Sequence, residues 1–198
     1  MMNAQVESWF PTPLYAADDI LLDRCNSLEG EVNQILKKYP TQRTGSLNVD
    51  SVHQEFWGNG VLDTFPEFCL LKEEIQRHVE EFLSRLNMSD YDIRITNMWF
   101  NVSDKGDYNF PHTHCGSVIS GVYYICSPQE NFLRLYNPNY MTFNFPVSPV
   151  PNEYTYNYCD VPCIPGRLLM FPSHLQHGNP MQEVEGKKIA VSFNTRLG

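Results

Sequence analysis

The second half of the chain is a series of short segments that favour β-strands. From Tyr91 onward, aromatic and β-branched residues are concentrated and are interrupted by Pro, Gly, Asn and Asp, a composition typical of strands joined by turns. Several short strands with turn signals between them favour a sandwich or a jelly roll. The predicted strands span residues 92–102, 108–114, 118–126, 131–136, 154–160, 167–171 and 188–195.

The first half of the chain favours helices. Apolar residues recur at close to helical spacing over residues 18–39 and again over residues 67–86, which predicts two amphipathic helices. The polar segment between them, residues 41–59, is predicted to be an ordered loop with a short helix at 51–56. Residues 137–152 hold four prolines and are predicted to form a long loop at the barrel rim.

The length of the chain fits one substantial core. With 198 residues we expect one domain over residues 1–198. In this arrangement a mostly helical part (1–90) braces the outside of a β core (91–198). The predicted fold class is therefore mainly β with flanking helices.

Three histidines in this β half have the spacing of a metal site. His112 and His114 are two residues apart in a predicted strand, and His177 follows a later strand. Side chains two apart on a strand project from the same face, and imidazole is the commonest metal ligand near neutral pH. The sequence predicts that His112, His114 and His177 meet at one end of the barrel. His174 is predicted to lie on the rim or the pocket wall.

Charge and hydropathy exclude some classes of protein. The formal net charge is −9 and the pI is about 5.0, which argues against a nucleic-acid groove and against binding to an anionic membrane. No apolar run reaches the roughly 18 residues of a membrane helix, and the first residues lack the basic and apolar regions of a signal peptide. We therefore expect a cytoplasmic protein with six free thiols, because no export signal supports disulfides.

Four sequence blocks of the β half form a distinctive set. They are His112-x-His114, Ser120-Gly121-Val122-Tyr123-Tyr124-Ile125, Pro165-Gly166-Arg167-Leu168-Leu169-Met170-Phe171-Pro172-Ser173-x-Leu175-x-His177 and Ile189-Ala190-Val191-Ser192-Phe193-Asn194. Together they resemble the 2-oxoglutarate/iron(II) oxygenase family, the bacterial and phage relatives of the prolyl 4-hydroxylases. The segment Trp9-Phe10-Pro11-Thr12-Pro13-Leu14-Tyr15 is also similar to the start of that family, so the resemblance spans almost the whole chain.

The resemblance implies a double-stranded β-helix, that is, a cupin-like jelly roll, which holds iron(II) by three side chains and takes 2-oxoglutarate and dioxygen as cosubstrates. By position, His112 is the first ligand, His114 the middle one and His177 the distal one. The middle ligand of the wider superfamily is usually Asp or Glu. An alternative is therefore that His114 lies outside the coordination sphere and that an acid such as Asp107 reaches the metal.

The resemblance also indicates where 2-oxoglutarate would bind. The superfamily commonly holds its distal carboxylate with an Arg on the last long strand and a Ser or Thr two residues on, and the matching positions here are Lys188 and Ala190. Lysine pairs with a carboxylate as a point charge, without the bidentate fork of arginine. Strand alternation places Lys188, Ala190, Ser192 and Asn194 on one face. The candidate helpers of Lys188 are Tyr124, Ser192, Asn194 and Arg196.

Three functions remain open at this point. The first is an iron(II)- and 2-oxoglutarate-dependent dioxygenase that hydroxylates a C–H bond, with a protein or peptide residue as one candidate substrate. The second is a cupin-like three-histidine metalloenzyme that does not use 2-oxoglutarate. The third is a non-catalytic binding module on the same barrel, for example a phage-encoded accessory protein. We expect a monomer or a dimer.

Overall fold

The chain folds into two helices and a set of antiparallel strands. The computed structural model describes residues 5, 7–39, 42–44, 47–55, 60–139 and 150–198, and of 42–44 and 47–55 the backbone alone. The helices are α1 (Cys25–Lys38) and α2 (Pro66–Arg85), with 3-10 turns at Leu22–Arg24 and Leu62–Thr64. The strands are β1 (Tyr15–Ala17), β2 (Gln42–Thr44), β3 (Leu47–Glu55), β4 (Ile93–Ser103), β5 (Asn109–His112), β6 (Ile119–Cys126), β7 (Phe132–Tyr136), β8 (Tyr158–Pro162), β9 (Leu168–Pro172), β10 (His177–Asn179) and β11 (Lys188–Leu197).

The strands form one hydrogen-bonded ladder that folds over on itself. Its order is β1-β9-β6-β11-β4-β3-β5-β10-β7-β8, and β2 pairs with β3. Residues from β4, β6 and β11 and residues from β5, β7 and β10 line the same cavity. Two halves of the ladder therefore face each other across this cavity, and the expected jelly roll with flanking helices is confirmed.

Strand β11 separates the two hydrophobic clusters of the molecule. Ile189, Val191 and Phe193 face the helices, where they join a core with α1 and α2. The alternate residues Lys188, Ala190, Ser192 and Asn194 line the cavity instead, as strand alternation predicts. The inner cluster of the barrel includes Tyr124, Leu169 and Phe171. This arrangement leaves one face of β11 free for polar chemistry.

The two helices are linked by a buried carboxylate. Glu31 of α1 accepts hydrogen bonds from the backbone N–H groups of Glu67 and Phe68, at 3.0 and 3.1 Å, in the first turn of α2. These N–H groups have no partner within their own helix, and a negative charge at a helix N-terminus is favourable. Glu31 therefore fixes the helical layer against which the sheet packs.

Some predicted boundaries were wrong. Helix α1 begins at Cys25 rather than at residue 18, because Asp19 and Leu21 have left-handed backbones (φ 61° and 46°). The predicted loop at 41–59 contains strands β2 and β3, so the expected helix at 51–56 is wrong as far as Glu55. Strand β3 is polar and gave no strand pattern, but it pairs along β4 from Asp50 to Glu55. Residues 140–149 of the predicted proline-rich loop lie outside the described residues.

Candidate metal centre and cosubstrate pocket

The three predicted metal ligands meet at one end of the cavity. Strand β5 ends at His112, and β10 begins at His177, directly opposite His112 in the antiparallel pairing of these strands. His114 follows two residues after β5, in a turn where the N–H of Ser117 donates to the His114 carbonyl at 3.3 Å. The ligand atoms of the three histidines lie within 4.8 Å of one another. One cation can therefore contact all three rings.

Backbone carbonyls fix the tautomer of two of these rings. His112 Nδ1 lies 2.8 Å from the carbonyl of Phe110, and His177 Nδ1 lies 2.9 Å from the carbonyl of Leu175. A carbonyl can only accept, so each Nδ1 carries the proton and donates it. The lone pair of each neutral ring is then on Nε2, the arrangement that outer hydrogen bonds impose on metal-binding histidines.

The third ring, His114, has side-chain partners instead. Its Nε2 lies 3.2 Å from Nε2 of His177, and its Nδ1 lies 3.5 Å from the Nδ2 of Asn194. Aromatic rings pack against the site, with Trp99 at 5.8 Å from His114 and Phe171 at 4.6 Å from His177 between ring centroids. These rings hold the imidazoles in place and limit the access of water.

Burial keeps the inner imidazoles neutral. Desolvation, reinforced by the neighbouring His112, lowers the pKa of His114 to about 4. Desolvation also lowers the pKa of His177 to about 3, although the Leu175 carbonyl opposes the shift. At neutral pH both rings are therefore uncharged, which is the form that binds a metal.

The stability of the metal-free protein should fall as the pH drops from about 7 to 5.5. Below about pH 6.5 the unfolded chain protonates its histidines, whereas His114 and His177 stay neutral in the fold until about pH 4 and 3. The unfolded state then binds more protons, so the free energy of unfolding decreases with falling pH. Urea unfolding of chelator-treated protein measures this. His114→Gln should flatten the slope, and the exposed His174→Ala should not; a wild-type slope of zero would contradict the expectation.

A buried lysine, Lys188, lines the same cavity. Among the β11 residues that face the cavity, Lys188 is at one end and Asn194, which contacts His114, is at the other. The cavity volume is about 300 Å³, and Lys188 is 4% exposed. Burial lowers the pKa of the Lys188 ammonium, while the nearby Cys163 and Asp107 oppose the shift. Within the described part of the chain, Cys163 and Asp107 are the groups that favour the charged form of this ammonium against burial. Because a buried charge is costly unless it is paired, the position favours an anionic ligand.

Two polar groups of the cavity lack partners among the described residues. The hydroxyl of Tyr124 and the Oδ1 of Asn101 are both buried without a hydrogen bond. Burial raises the pKa of Tyr124, and the Cys163 thiol adds to the shift, so the phenol stays protonated and can donate. Asn101 lies opposite Ala190 in the pairing of β4 and β11. The Tyr124 hydroxyl can therefore donate to a carboxylate held by Lys188, whereas Oδ1 of Asn101 can only accept a hydrogen bond.

Asn101 was missed by the sequence analysis because it belongs to no motif. Only the register of β4 against β11 places it beside Ala190, the position where the superfamily commonly has a hydroxyl. Of the other predicted helpers of Lys188, Ser192 lines the cavity and Asn194 contacts His114. Arg196 is exposed and lies outside the cavity lining, so the structure does not bring it to the site.

The acid considered as an alternative ligand lies outside the histidine cluster. The Asp107 carboxylate accepts a hydrogen bond from the backbone N–H of Asp104 at 3.0 Å, in the turn between β4 and β5. Within the described ranges, the one group of side chains able to share a metal is His112, His114 and His177. This geometry favours His114 over Asp107 as the middle ligand. All six cysteines are free thiols.

A rolled antiparallel sheet with three imidazoles at one end of its cavity and a buried lysine along the same wall defines the class of non-heme metal oxygenases. Residues 97–194 match the model of the family described as "Putative 2OG-Fe(II) oxygenase". This part of the chain belongs to that family, whose members are 2-oxoglutarate-dependent non-heme iron oxygenases. Among curated proteins, none matches the chain significantly.

Solved structures confirm the double-stranded β-helix. A prolyl-4-hydroxylase from Pseudomonas putida has a TM-score of 0.64 and 13% identity, covering 94% of each chain. HygX from Streptomyces hygroscopicus, with nickel and 2-oxoglutarate bound, has a TM-score of 0.66 and 13% identity, covering 93% of this chain and 83% of its own. A viral collagen prolyl hydroxylase from Paramecium bursaria Chlorella virus-1 has a TM-score of 0.57 and 15% identity, covering 92% and 94%.

The residues of the site fit both cofactors of the family. Imidazole ligands suit divalent iron, and the Nε2 lone pairs of His112 and His177 are fixed by their backbone partners. The buried Lys188 and the unpartnered Tyr124 hydroxyl fit an organic anion. The cofactors are iron(II) and 2-oxoglutarate. No described helix is long and apolar enough to cross a membrane.

Proposed function

We propose that this protein hydroxylates a C–H bond of its substrate, with iron(II) held by His112, His114 and His177 and 2-oxoglutarate held by Lys188. One observation carries the proposal: three histidines lie within 4.8 Å of one another in a cavity that also contains a buried lysine. A metal cluster alone would fit many reactions. The lysine in the same cavity is what favours a carboxylate cosubstrate.

In this proposal, the protein positions the reactants and excludes water. When bound, iron(II) and 2-oxoglutarate supply the oxidising chemistry. The Lys188 ammonium pairs with the distal carboxylate, and the Tyr124 hydroxyl donates a hydrogen bond to it. Because three neutral imidazoles leave the metal charge uncompensated by the protein, the cosubstrate carboxylate balances more of that charge. Trp99 and Phe171 pack on the histidine rings and keep the site dry.

The substrate class we propose is a protein or peptide residue. Two structures with the same fold are a prolyl-4-hydroxylase and a collagen prolyl hydroxylase. HygX has been crystallised with hygromycin B, so small molecules are the competing class of substrate.

We also propose that residues 1–198 act as one oxygenase-like domain, with dioxygen as the second cosubstrate, and that the protein is a monomer or a dimer. We propose that the protein is located in the cytoplasm, as expected for phage members of the family.

Anaerobic addition of iron(II) and 2-oxoglutarate should produce a weak visible charge-transfer band. The reason is that 2-oxoglutarate chelates an iron ion that keeps positions open beside three protein ligands. Admission of air should then consume 2-oxoglutarate and form succinate. Absence of both the band and succinate, in protein shown to be folded, would contradict the proposal.

A three-histidine metalloenzyme without 2-oxoglutarate is the second candidate. It is favoured by one observation, the absence of a carboxylate from the ligand cluster within the described residues. Loss of function on removal of Lys188 separates the two candidates, because only the first uses a cosubstrate anion.

A further inference from the structure

Strand β5 carries a bulge next to the metal centre. In its pairing with β10, His112 lies opposite His177. Asn109 lies opposite Asn179, so two residues of β5 separate these pairs but only one residue of β10 does. An extra residue in one strand of an antiparallel pair is a β-bulge. Pro111 suits this position, because proline has no N–H to donate to the ladder.

The bulge explains why His112 faces the cavity. Side chains three residues apart on a regular strand project from opposite faces of the sheet. Asn109 and His112 are three residues apart, and both nevertheless line the cavity. The extra residue between them turns the strand so that the two side chains project from the same face. Without the bulge, a strand that kept Asn109 in the cavity would direct His112 to the outer face.

Gly178 provides the space for the bulged backbone. A Cβ atom at this position would lie 2.8 Å from the carbonyl oxygen of Asn109, 3.1 Å from the backbone nitrogen of Pro111 and 3.2 Å from the carbonyl carbon of Phe110. All three are backbone atoms, so the rotation of a side chain could not relieve the contact. Ordinary contacts begin at 3.4 Å. The two strands would therefore have to separate by about 0.6 Å, the difference between 3.4 and 2.8 Å.

Asn179 ties β10 to both of its neighbours on the other side of Gly178. Its Nδ2 lies 3.0 Å from the carbonyl oxygen of Phe132 in β7 and donates to it, because a carbonyl can only accept. Its Oδ1 is therefore turned towards β5, where it accepts from Nδ2 of Asn109 at 3.4 Å. These side-chain bonds hold β10 at the point where its register with β5 shifts.

We propose that Gly178 is a positioning residue that sets the distance between the metal ligands His112 and His177. Because Gly178 has no side chain, β10 can approach the bulge, and the centroids of the two imidazole rings lie 4.5 Å apart. Metal–ligand distances vary by only about 0.2 Å. A separation of about 0.6 Å would therefore take one ring out of bonding distance. The inference rests on the proposed function, because it assigns both rings to the metal.

Replacing Gly178 with alanine should weaken zinc binding by about 10–100-fold, the range found when the support of a metal ligand is lost. Zinc affinity is measured by chelator competition in the full-length protein, with folding checked by circular dichroism. The matched control is Gly30→Ala, since a Cβ atom at Gly30 meets nothing within 4 Å. Ile75→Val controls for lost stability, because Ile75 is buried in the helical layer. Both controls should bind zinc like the wild type.

A double-mutant comparison separates positioning from a general structural role. If Gly178 acts through the distance between the two rings, Gly178→Ala should not weaken zinc binding further in protein that already carries His177→Ala. If Gly178 only supported the fold, the alanine would weaken zinc binding by the same factor in both backgrounds. Equal factors would therefore overturn the inference.

The other outcomes separate this inference from the proposed function. If wild-type protein binds neither zinc nor iron, the proposed function fails and the inference fails with it. If the wild type binds metal and folded Gly178→Ala binds it equally well, only the role of Gly178 is overturned.

A second variant decides the question if Gly178→Ala does not fold. Asn179→Leu removes both side-chain bonds that hold β10 and should weaken zinc binding by about tenfold. Asn97→Leu removes a cavity amide from β4 instead and should bind zinc like the wild type. Equal zinc affinity in Asn179→Leu and the wild type would then overturn the inference.

Discussion

Replacing Lys188 with alanine should raise the KM for 2-oxoglutarate by about 100-fold, because truncating one partner of a buried charge pair costs about 2–5 kcal/mol and each factor of ten corresponds to about 1.4 kcal/mol. The lysine is 4% exposed. In the filled site we expect the cosubstrate carboxylate to be that partner. Steady-state succinate formation at varied 2-oxoglutarate measures the effect.

The neighbouring lysine provides a matched control. Lys187 is exposed, so Lys187→Ala should leave the KM unchanged. Lys188→Met should raise the KM by a similar factor, about 100-fold, and yet raise the free energy of unfolding of the cosubstrate-free protein by about 1–4 kcal/mol, since apolar replacement of buried charges is often stabilising. If Lys188 had only a structural role, Lys188→Met would lower both the free energy of unfolding and the affinity for 2-oxoglutarate. An unchanged KM in Lys188→Ala would favour the three-histidine enzyme that does not use 2-oxoglutarate.

Replacing His114 with alanine should abolish iron binding at micromolar concentrations, whereas His114→Asp should retain it. Alanine removes one of three ligands, and removal of a ligand costs at least the 10–100-fold that loss of an outer partner costs. Aspartate supplies the carboxylate of the common 2-His-1-carboxylate set, which suits non-heme iron(II). Iron content after anaerobic loading and desalting measures the difference.

The control for this series is the nearby His174. It is exposed and does not belong to the ligand cluster, so His174→Ala should load iron like the wild type. Equal iron content in His114→Ala and the wild type would show that the ion does not need this ring, and would return Asp107 to consideration.

The helices and most strands could be predicted from the sequence, because their apolar spacing reflects burial. Helix α2 spans Pro66–Arg85, against 67–86 predicted, and β11 starts at Lys188 as expected. The failures have a common physical reason. Strand β3 is held by backbone hydrogen bonds to β4, which leave no mark in side-chain hydropathy. The start of α1 is set by the left-handed Asp19 and Leu21 and by the Ile20 N–H, which donates to the Gly166 carbonyl.

The candidate site, like the fold, could be predicted only in part from the sequence. His112 and His114 share a face because strand periodicity places them there, and Lys188, Ser192 and Asn194 line the cavity for the same reason. Asn101 joins them only through the register of two strands that are distant in sequence. Arg196 would lie on the same face of β11 by strand alternation. It nevertheless lies outside the cavity, because β11 continues to Leu197 whereas the cavity lining ends at Asn194.

The sequence by itself determined which histidines and which residues of β11 face the cavity, since imidazole spacing and strand alternation are local properties of the chain. Only the tertiary structure decided what those residues contact. The pairing of His112 with His177 across β5 and β10, the burial of Lys188 and the contact of Asn194 with His114 all depend on how distant strands are aligned. That alignment is fixed by packing and backbone hydrogen bonds over the whole sheet, and no local pattern specifies it.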